Sequence, residues 1–331
     1  AISGLYPPGS TIKTLTAISA LENDIVSSKL IVTCPGYVDL HGERFHCWKK
    51  EGHGVVGMRT ALKKSCDVYF YEVARRLGID RLSATAKKFG LGQKVLQNYN
   101  EEKKGVVPNT KWKKRELGQN WYLGETLHSG IGQGYFLTTP LQLSLMTAQI
   151  ANGGFKISPR ILVDENDKVS NLQKYLNHKN STPGNVMSTN DQIYNFNLQP
   201  LFRNQENINL VKDAMFAATN EVGGTSYRSR FKDKKFMFAG KTGSSQIKRF
   251  TAEQREAETK QKDIAYLERD HAWFVAFAPV QEPRYAISVL VEHGGSGSSA
   301  AAPIAKKIIK KVIERHEIRI SQSKQELDKV I

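Results

Sequence analysis

The alternation of apolar and polar positions divides the chain into helical and extended stretches. Behind a rigid Pro7-Pro8-Gly9 turn, apolar residues recur at helical spacing from Ile12 to Leu21. The same period returns over Met58–Leu77, Asp80–Phe89 and Glu206–Thr219. It returns again over Thr138–Ala151, where Thr-Thr-Pro marks the start and Gly153-Gly154 the stop. A Gly/Ser tract, Gly294–Ser299, precedes a basic helix predicted at Ala300–His316, and the last fifteen residues read as a solvated tail. Short apolar runs predict three strands, Lys235–Gly240, Ala272–Val280 and Tyr285–Val291, the last two joined by a hairpin loop at Gln281-Glu282-Pro283. Between Ile31 and Val56, Pro and Gly punctuate a loop-rich stretch. Asn98–Trp121 is charged and irregular, and Asp164–Asn197 is polar, Asn-rich and reads as a surface insertion. The charged connection Ile247–Asp270 is long for neighbouring strands, and loops of that kind often carry function.

Strands late in the chain and helices in its middle predict an α+β fold, with helices packed on an antiparallel sheet. At 331 residues the chain can bury a sizeable core, as one large domain or two modest ones. No apolar run approaches the length of a membrane span, and no signal peptide is recognisable. The net charge of +16 admits an acidic partner such as nucleic acid or an anionic membrane. A nucleic-acid reader needs a recognition motif, and the chain carries no zinc-finger helix, no stacking-aromatic motif and no basic helix with heptads. The basic clusters Lys103-Lys104, Lys111–Arg115 and Lys306–Lys311 read as solvated surface.

Ser10 stands before the first helical run and Lys13 follows one turn later. A serine at that point is ordinarily an N-cap, its oxygen taking a free backbone amide. Residues three apart share a helix face, so the Lys13 amine can reach the Ser10 hydroxyl, and a desolvated lysine that loses its proton can activate a serine as a nucleophile. Ser65-Cys66-Asp67 and Lys241-Thr242-Gly243 follow in order. Ser-x-x-Lys, Ser-x-Asn/Asp and Lys-Thr-Gly together are the signature of serine enzymes that recognise penicillin. Two rival motifs fail. A phosphate loop ending at Gly240-Lys241-Thr242 needs its first glycine where Lys235 stands. Gly130-x-Gly132-x-Gly134 lacks the dinucleotide-loop spacing and a strand before it, and reads as close backbone packing.

Further stretches carry a family likeness: Tyr6-Pro7-Pro8-Gly9-Ser10-Thr11, Trp48-Lys49-Lys50, Gly52-His53-Gly54, Gly78-Ile79-Asp80-Arg81-Leu82, and Gly130–Tyr135 with Thr139-Pro140. They resemble the transpeptidase domain of the penicillin-binding protein 2 family, the class B, cell-elongation type. The likeness runs from Tyr6 to the C-terminal helix and is thinnest between Asp164 and Pro200. It implies one transpeptidase domain over 1–331, with a helical subdomain at roughly 14–230, sheet strands at roughly 235–292 and a C-terminal helix at roughly 300–316. Helices on both faces of the antiparallel sheet follow from it, with the active site between sheet and subdomain. Family members carry a membrane anchor, a pedestal domain and the first sheet strands upstream, so the chain reads as a fragment whose sheet has an uncovered edge.

By the resemblance, Ser10 is the acylated nucleophile, Lys13 its base and Ser65 a proton relay to the leaving amine. That role requires a lowered Lys13 pKa, and burial with a second cation, Lys241, would push that way. Asp67 stands where many relatives have Asn, and an ionised carboxylate there opposes that lowering. Asp67 is therefore neutral, or turned away, or Lys13 acts mainly by hydrogen bonding. Lys241 and Thr242 bind the substrate's terminal carboxylate, and Gly243 lets a peptide lie against the strand edge. The Ser10 and Ser244 amides form the oxyanion hole. The implied reaction is DD-transpeptidation of peptidoglycan stem peptides, without a catalytic cofactor and with β-lactams as covalent mimics. A serine β-lactamase or DD-carboxypeptidase passes the same acyl group to water, and a sensing or scaffold domain acylates without turnover. The implied setting is the periplasmic side of a bacterial inner membrane, in a cell-elongation complex that includes a glycosyltransferase, with no nucleic acid.

All three cysteines, Cys34, Cys47 and Cys66, fall in one window with His53 among them. Three thiols and an imidazole make a closed tetrahedral zinc set, although the spacing is not that of a finger. The rival is a Cys34–Cys47 disulfide with Cys66 buried, which an oxidising compartment permits; His46 competes with His53 as the imidazole. On the zinc reading, a structural metal ties the Ile31–Val56 loop to the middle residue of Ser65-Cys66-Asp67.

Overall fold

A computed structural model of the chain describes residues 1–96, 99–161, 200–247 and 261–327. A 3-10 turn, Gly9–Ile12, runs straight into helix α1, Lys13–Glu22. Every residue of α1 is buried, as befits a helix packed on all sides. The loop-rich stretch that follows folds into two small antiparallel pairs. Strand β1 (Ile31–Cys34) pairs with β4 (Gly54–Gly57), and β2 (Tyr37–Leu40) with β3 (Glu43–His46).

The helix expected over Met58–Leu77 is two helices, α2 (Met58–Lys64) and α3 (Asp67–Leu77). Ser65 takes the left-handed conformation, φ 55° and ψ 43°, and Cys66 is extended. The helical ladder breaks there, and the Ser65 and Cys66 amides donate back to the Leu62 and Ala61 carbonyls to close α2. Helix α4 spans Ile79–Lys88. The irregular stretch Asn98–Trp121 contains α5 (Thr110–Leu117), capped by the Asn109 side chain, which accepts from the Trp112 amide. Helix α6 is Leu123–Gly130, and α7 (Pro140–Ala151) starts with a capping box between Thr139 and Gln142. Helix α8 is Gln205–Asn220.

The main sheet has three antiparallel strands in the order β5 (Ala239–Ser245), β6 (His271–Ala278), β7 (Tyr285–Val291). Register sets Ala239 opposite Phe277, Ser245 opposite His271, and Ala272 opposite Val291. Successive side chains of a strand point to opposite faces, and β6 uses this to serve two cores. Trp273, Val275 and Phe277 join the core built by α1, α3, α7 and α8. Phe274, Ala276 and Ala278 pack with Ala302, Ala305 and Ile309 of the C-terminal helix α9 (Ala302–Leu327). Helices therefore cover both faces of an antiparallel sheet, the α+β arrangement expected.

Two boundaries differ from the sequence reading. The strand expected over Lys235–Gly240 begins only at Ala239, and Lys241-Thr242-Gly243 lies in its middle rather than after it. Lys234–Phe236 is a 3-10 turn capped by Asp233, and the Phe236 and Phe238 rings pack on Phe231, centroids 5.6 and 5.7 Å away, in the core shared with α9. The apolar run is there to cover that core. Helix α9 continues to Leu327, through most of the segment read as a tail, because Ile320 is still buried. Asp164–Asn197 and the centre of Ile247–Asp270 lie outside the described residues. No described helix is long and apolar enough to cross a membrane.

Candidate active site

Three segments converge where the first turn, the α2–α3 junction and β5 meet. Gly9 has φ +54°, and a Cβ on it would lie 2.5 Å from the Ser244 carbonyl oxygen, so only glycine lets the Ser10 turn press on β5. The Gly9 amide donates to the Gly132 carbonyl at 2.9 Å, and Gln133 Nε2 donates to the Ser244 carbonyl at 3.1 Å. Gly132 thus packs against the Ser10 turn, a Cβ there lying 2.1 Å from the Gly9 carbonyl oxygen, while a Cβ on Gly130 would lie 2.3 Å from Ala74 of α3. A Cβ on Gly243 would lie 2.9 Å from Thr11 Cγ2 and 3.1 Å from the Pro8 carbonyl oxygen. Gly243 is therefore set by contact with the Ser10 turn, a different reason from the open strand edge read in the sequence.

Ser65 is shared by two buried amines. Lys13 Nζ donates to Asp67 Oδ1 at 2.6 Å, to the Ser65 carbonyl at 3.0 Å and to the Ser65 hydroxyl at 3.3 Å. Lys241 Nζ donates to the same hydroxyl at 2.8 Å and to the Thr242 carbonyl at 3.0 Å. Both amines are fully buried, and the left-handed backbone of Ser65 is what turns its hydroxyl toward them. Among the described residues the bonds of Lys13 go to Ser65 and Asp67 rather than to Ser10, which stands one turn before it at the rim. Asp67 faces Lys13, so the turned-away alternative is corrected.

Burial, and after it the charge of Lys13, pushes the Lys241 amine well below the ordinary lysine range, while Asp67 pulls the other way. Burial pushes the Asp67 carboxyl up against the pull of Lys13.

Two residues without a role in the sequence reading also stand here. Trp48 donates its backbone amide to Asp67 Oδ2 at 2.8 Å and its indole N–H to the Ser65 carbonyl at 3.0 Å. The Thr242 hydroxyl donates to the Thr225 hydroxyl at 3.0 Å. Nothing in residue type or spacing marks Thr225, which stands just after Gly223-Gly224 and 17 residues before Thr242.

The second cluster lies directly behind Ser65. Cys34, Cys47 and Cys66 are buried free thiols, so the disulfide alternative is not formed. One ligand atom from each, and one from His53, all lie within 4.8 Å of one another. His53 Nδ1 is 3.4 Å from Cys47 Sγ and 3.8 Å from Cys34 Sγ. His46 is outside the cluster, its carbonyl accepting from Tyr71. The Cys66 thiol, then His53, hold the Cys47 thiol low, whereas Cys66 is raised by sharing that hydrogen bond and by burial. Pairing of β1 with β4 sets Cys34 opposite Gly54, and the His53 amide donates to the Cys34 carbonyl at 3.1 Å. Three buried thiols and an imidazole in one compact group fit a soft, tetrahedral ion.

Residues 1–310 match the transpeptidase domain family of penicillin-binding proteins. The peptidoglycan D,D-transpeptidase MrdA of Acinetobacter baumannii is 36% identical over 309 residues, which cover 92% of this chain and 42% of that protein. The solved complex of penicillin-binding protein PBP2 with MreC from Helicobacter pylori is similar at a TM-score of 0.76 and 31% identity, over 95% of this chain and 50% of that one. Pseudomonas aeruginosa PBP2 in complex with WCK 5153 is similar at 0.73 and 33%, over 94% and 61%. The chain thus spans less than half the length of the curated relative and half or more of these solved chains.

Proposed function

The chain belongs to the transpeptidase domain family of penicillin-binding proteins, and we propose that it is a peptidoglycan DD-transpeptidase working through a Ser10 acyl-enzyme. The observation that carries this reading is the buried Lys13–Ser65–Lys241 hydrogen-bonded chain behind the Ser10 turn. Lys13 is the amine one turn from Ser10. To take the Ser10 proton it must first pass its own to Lys241, and the Ser65 hydroxyl, bonded to both amines, is the path. Ser10 Oγ then attacks the carbonyl before a terminal D-alanine, with its proton going to Lys13. The Ser10 and Ser244 amides hold the oxyanion. Collapse breaks the peptide bond, and the leaving D-alanine amine takes a proton through Ser65. An amine of a neighbouring stem peptide then attacks the ester, gives up a proton to the same relay and frees Ser10. Lys241, Thr242 and Gly243 receive the donor's terminal carboxylate end, and β-lactams enter by the same route and stay attached.

Cys34, Cys47, His53 and Cys66 would hold a structural zinc, whose part is to fix the β1–β4 loop against the Ser65 turn. Asp67 and Trp48 follow from that anchoring, since Trp48 adjoins Cys47 and Asp67 adjoins Cys66. The domain is a single one over 1–331, with the C-terminal helix closing it. It works on the periplasmic face of a bacterial inner membrane beside a glycosyltransferase and other elongation proteins. The naming of a PBP2–MreC complex and of MrdA relatives supports that setting.

Because Lys241 must be neutral to accept a proton, acylation is expected to be fast above its lowered pKa and to fall as pH drops through it. The inflection should lie well under the ordinary lysine value of about 10.4. Penicillin acylation rates measured across pH check this, and a flat profile would contradict it. Product analysis with a donor peptide alone and then with an added acceptor amine tests the reaction itself. Cross-linked product is expected. Free acid alone would make the protein a hydrolase, and a persistent acyl-enzyme would make it a sensor.

A further inference from the structure

The Thr225 hydroxyl meets the Thr242 hydroxyl from a short turn that is held on two sides. Val222 is 77% exposed, but on the α8 side a Cβ on Gly224 would lie 2.4 Å from the Ala218 carbonyl oxygen, and the Ser226 amide and hydroxyl donate to that same carbonyl at 3.0 and 3.1 Å. On its other side the segment is held by α2, through Arg59 near the start of that helix and Lys63 near its end. Glu221 Oε1 accepts from Arg59 Nη2 at 2.6 Å, and Oε2 accepts from Arg59 Nη1 at 3.2 Å and Lys63 Nζ at 2.8 Å. Arg59 also reaches Asp213 on α8, with Nη2 to Oδ1 at 3.2 Å. The Thr225 amide donates to the Lys63 carbonyl at 3.3 Å. Arg59 and, after it, Lys63 keep the Glu221 carboxyl low, at about 2, so it is ionised throughout the working range.

Ser65 directly follows this same helix α2, two residues after Lys63. One short helix therefore supports both hydroxyls that face β5: Ser65 opposite Lys241 and Thr225 opposite Thr242. We propose that Glu221 is a positioning residue, an ionic latch to Arg59 and Lys63 that sets the gap between Thr225 and Thr242 and thereby admits the donor's terminal carboxylate. The proposal rests on the acyl-transfer reading of the site. Glu221 touches neither Ser10 nor β5 in any described contact. Its network is partly exposed, with 38% of the Arg59 side chain and 34% of Glu221 open to solvent, so salt can weaken it.

The test is Glu221→Gln, assayed for Ser10 acylation by a penicillin and by the methyl ester of the same penicillin. The variant should melt close to the native protein yet be acylated by the free acid about tenfold more slowly, with a much smaller loss for the ester. High salt should slow the native protein toward the variant and leave the variant nearly unchanged. Hydrogen exchange should quicken at the Thr225 and Ser226 amides. Native rates and native exchange in the variant would overturn the proposal. Equal losses with acid and ester, together with a lowered Tm, would reduce Glu221 to a support of the fold and overturn it too. If the native protein itself is not acylated, the acyl-transfer reading fails, and the exchange rates still decide whether the latch exists.

Discussion

Replacing Lys13 by methionine is expected to slow acylation of Ser10 by a penicillin by about 10²–10⁴-fold, the usual worth of a positioned general base. Methionine keeps the length and apolar stem that a site with 0% exposure needs, but removes the amine bonded to Ser65 and Asp67. The change also strands the Asp67 carboxyl, and breaking a buried pair by removing one partner costs about 3–5 kcal/mol. Burial already pushes Asp67 toward its neutral form, which limits that cost. A second variant, Lys13→Met with Asp67→Asn, separates chemistry from folding, since the neutral amide leaves no buried charge. If the account holds, both variants melt cooperatively and both acylate slowly. Acylation within tenfold of native in a folded variant would move the base elsewhere, with Lys241 the next candidate.

The second large effect is expected at the cysteines. Purified protein should carry about one zinc per chain, and Cys47→Ser should lose most of it. A metal held a thousandfold above its dissociation constant stabilises the fold by about 4 kcal/mol, so the variant and the chelated protein should melt several degrees lower. Slower acylation should accompany the loss, because Cys66 adjoins both Ser65 and Asp67. Cys47→Ser is the informative choice: it removes a ligand while leaving the Ser65-Cys66-Asp67 segment intact. Metal-free protein with an unchanged Tm would leave the four side chains as a buried thiol cluster.

The parts of this site differ in how openly the sequence displays them. Ser10 and Lys13 are legible through their three-residue spacing taken together with Ser65-Cys66-Asp67 and Lys241-Thr242-Gly243 later in the chain. Cys34, Cys47, His53 and Cys66 are legible as a donor set, although only the β1–β4 pairing shows how they meet. The turn at Ser65 is hidden, because the residues around it keep helical periodicity and only the backbone, at φ 55°, reveals the break. The strand bearing Lys241 is hidden for a related reason. Its buried residues are Ala, Gly, Lys, Thr and Ser, so hydropathy marks the aromatic run before it instead. Thr225, Trp48 and Glu221 act through contacts far apart in the chain, which no local pattern encodes. The two-sided burial of β6 is visible as a near-continuous apolar run, but which residue faces which helix layer is settled only by packing.

The central claim is that Ser10 becomes acylated, and the most direct measurement is intact mass after incubation with a penicillin, for the native chain and for Ser10→Ala. The account predicts one adduct of the full penicillin mass on the native chain and none on a folded Ser10→Ala. An adduct that survives the substitution, or a folded native chain that takes none, would contradict it.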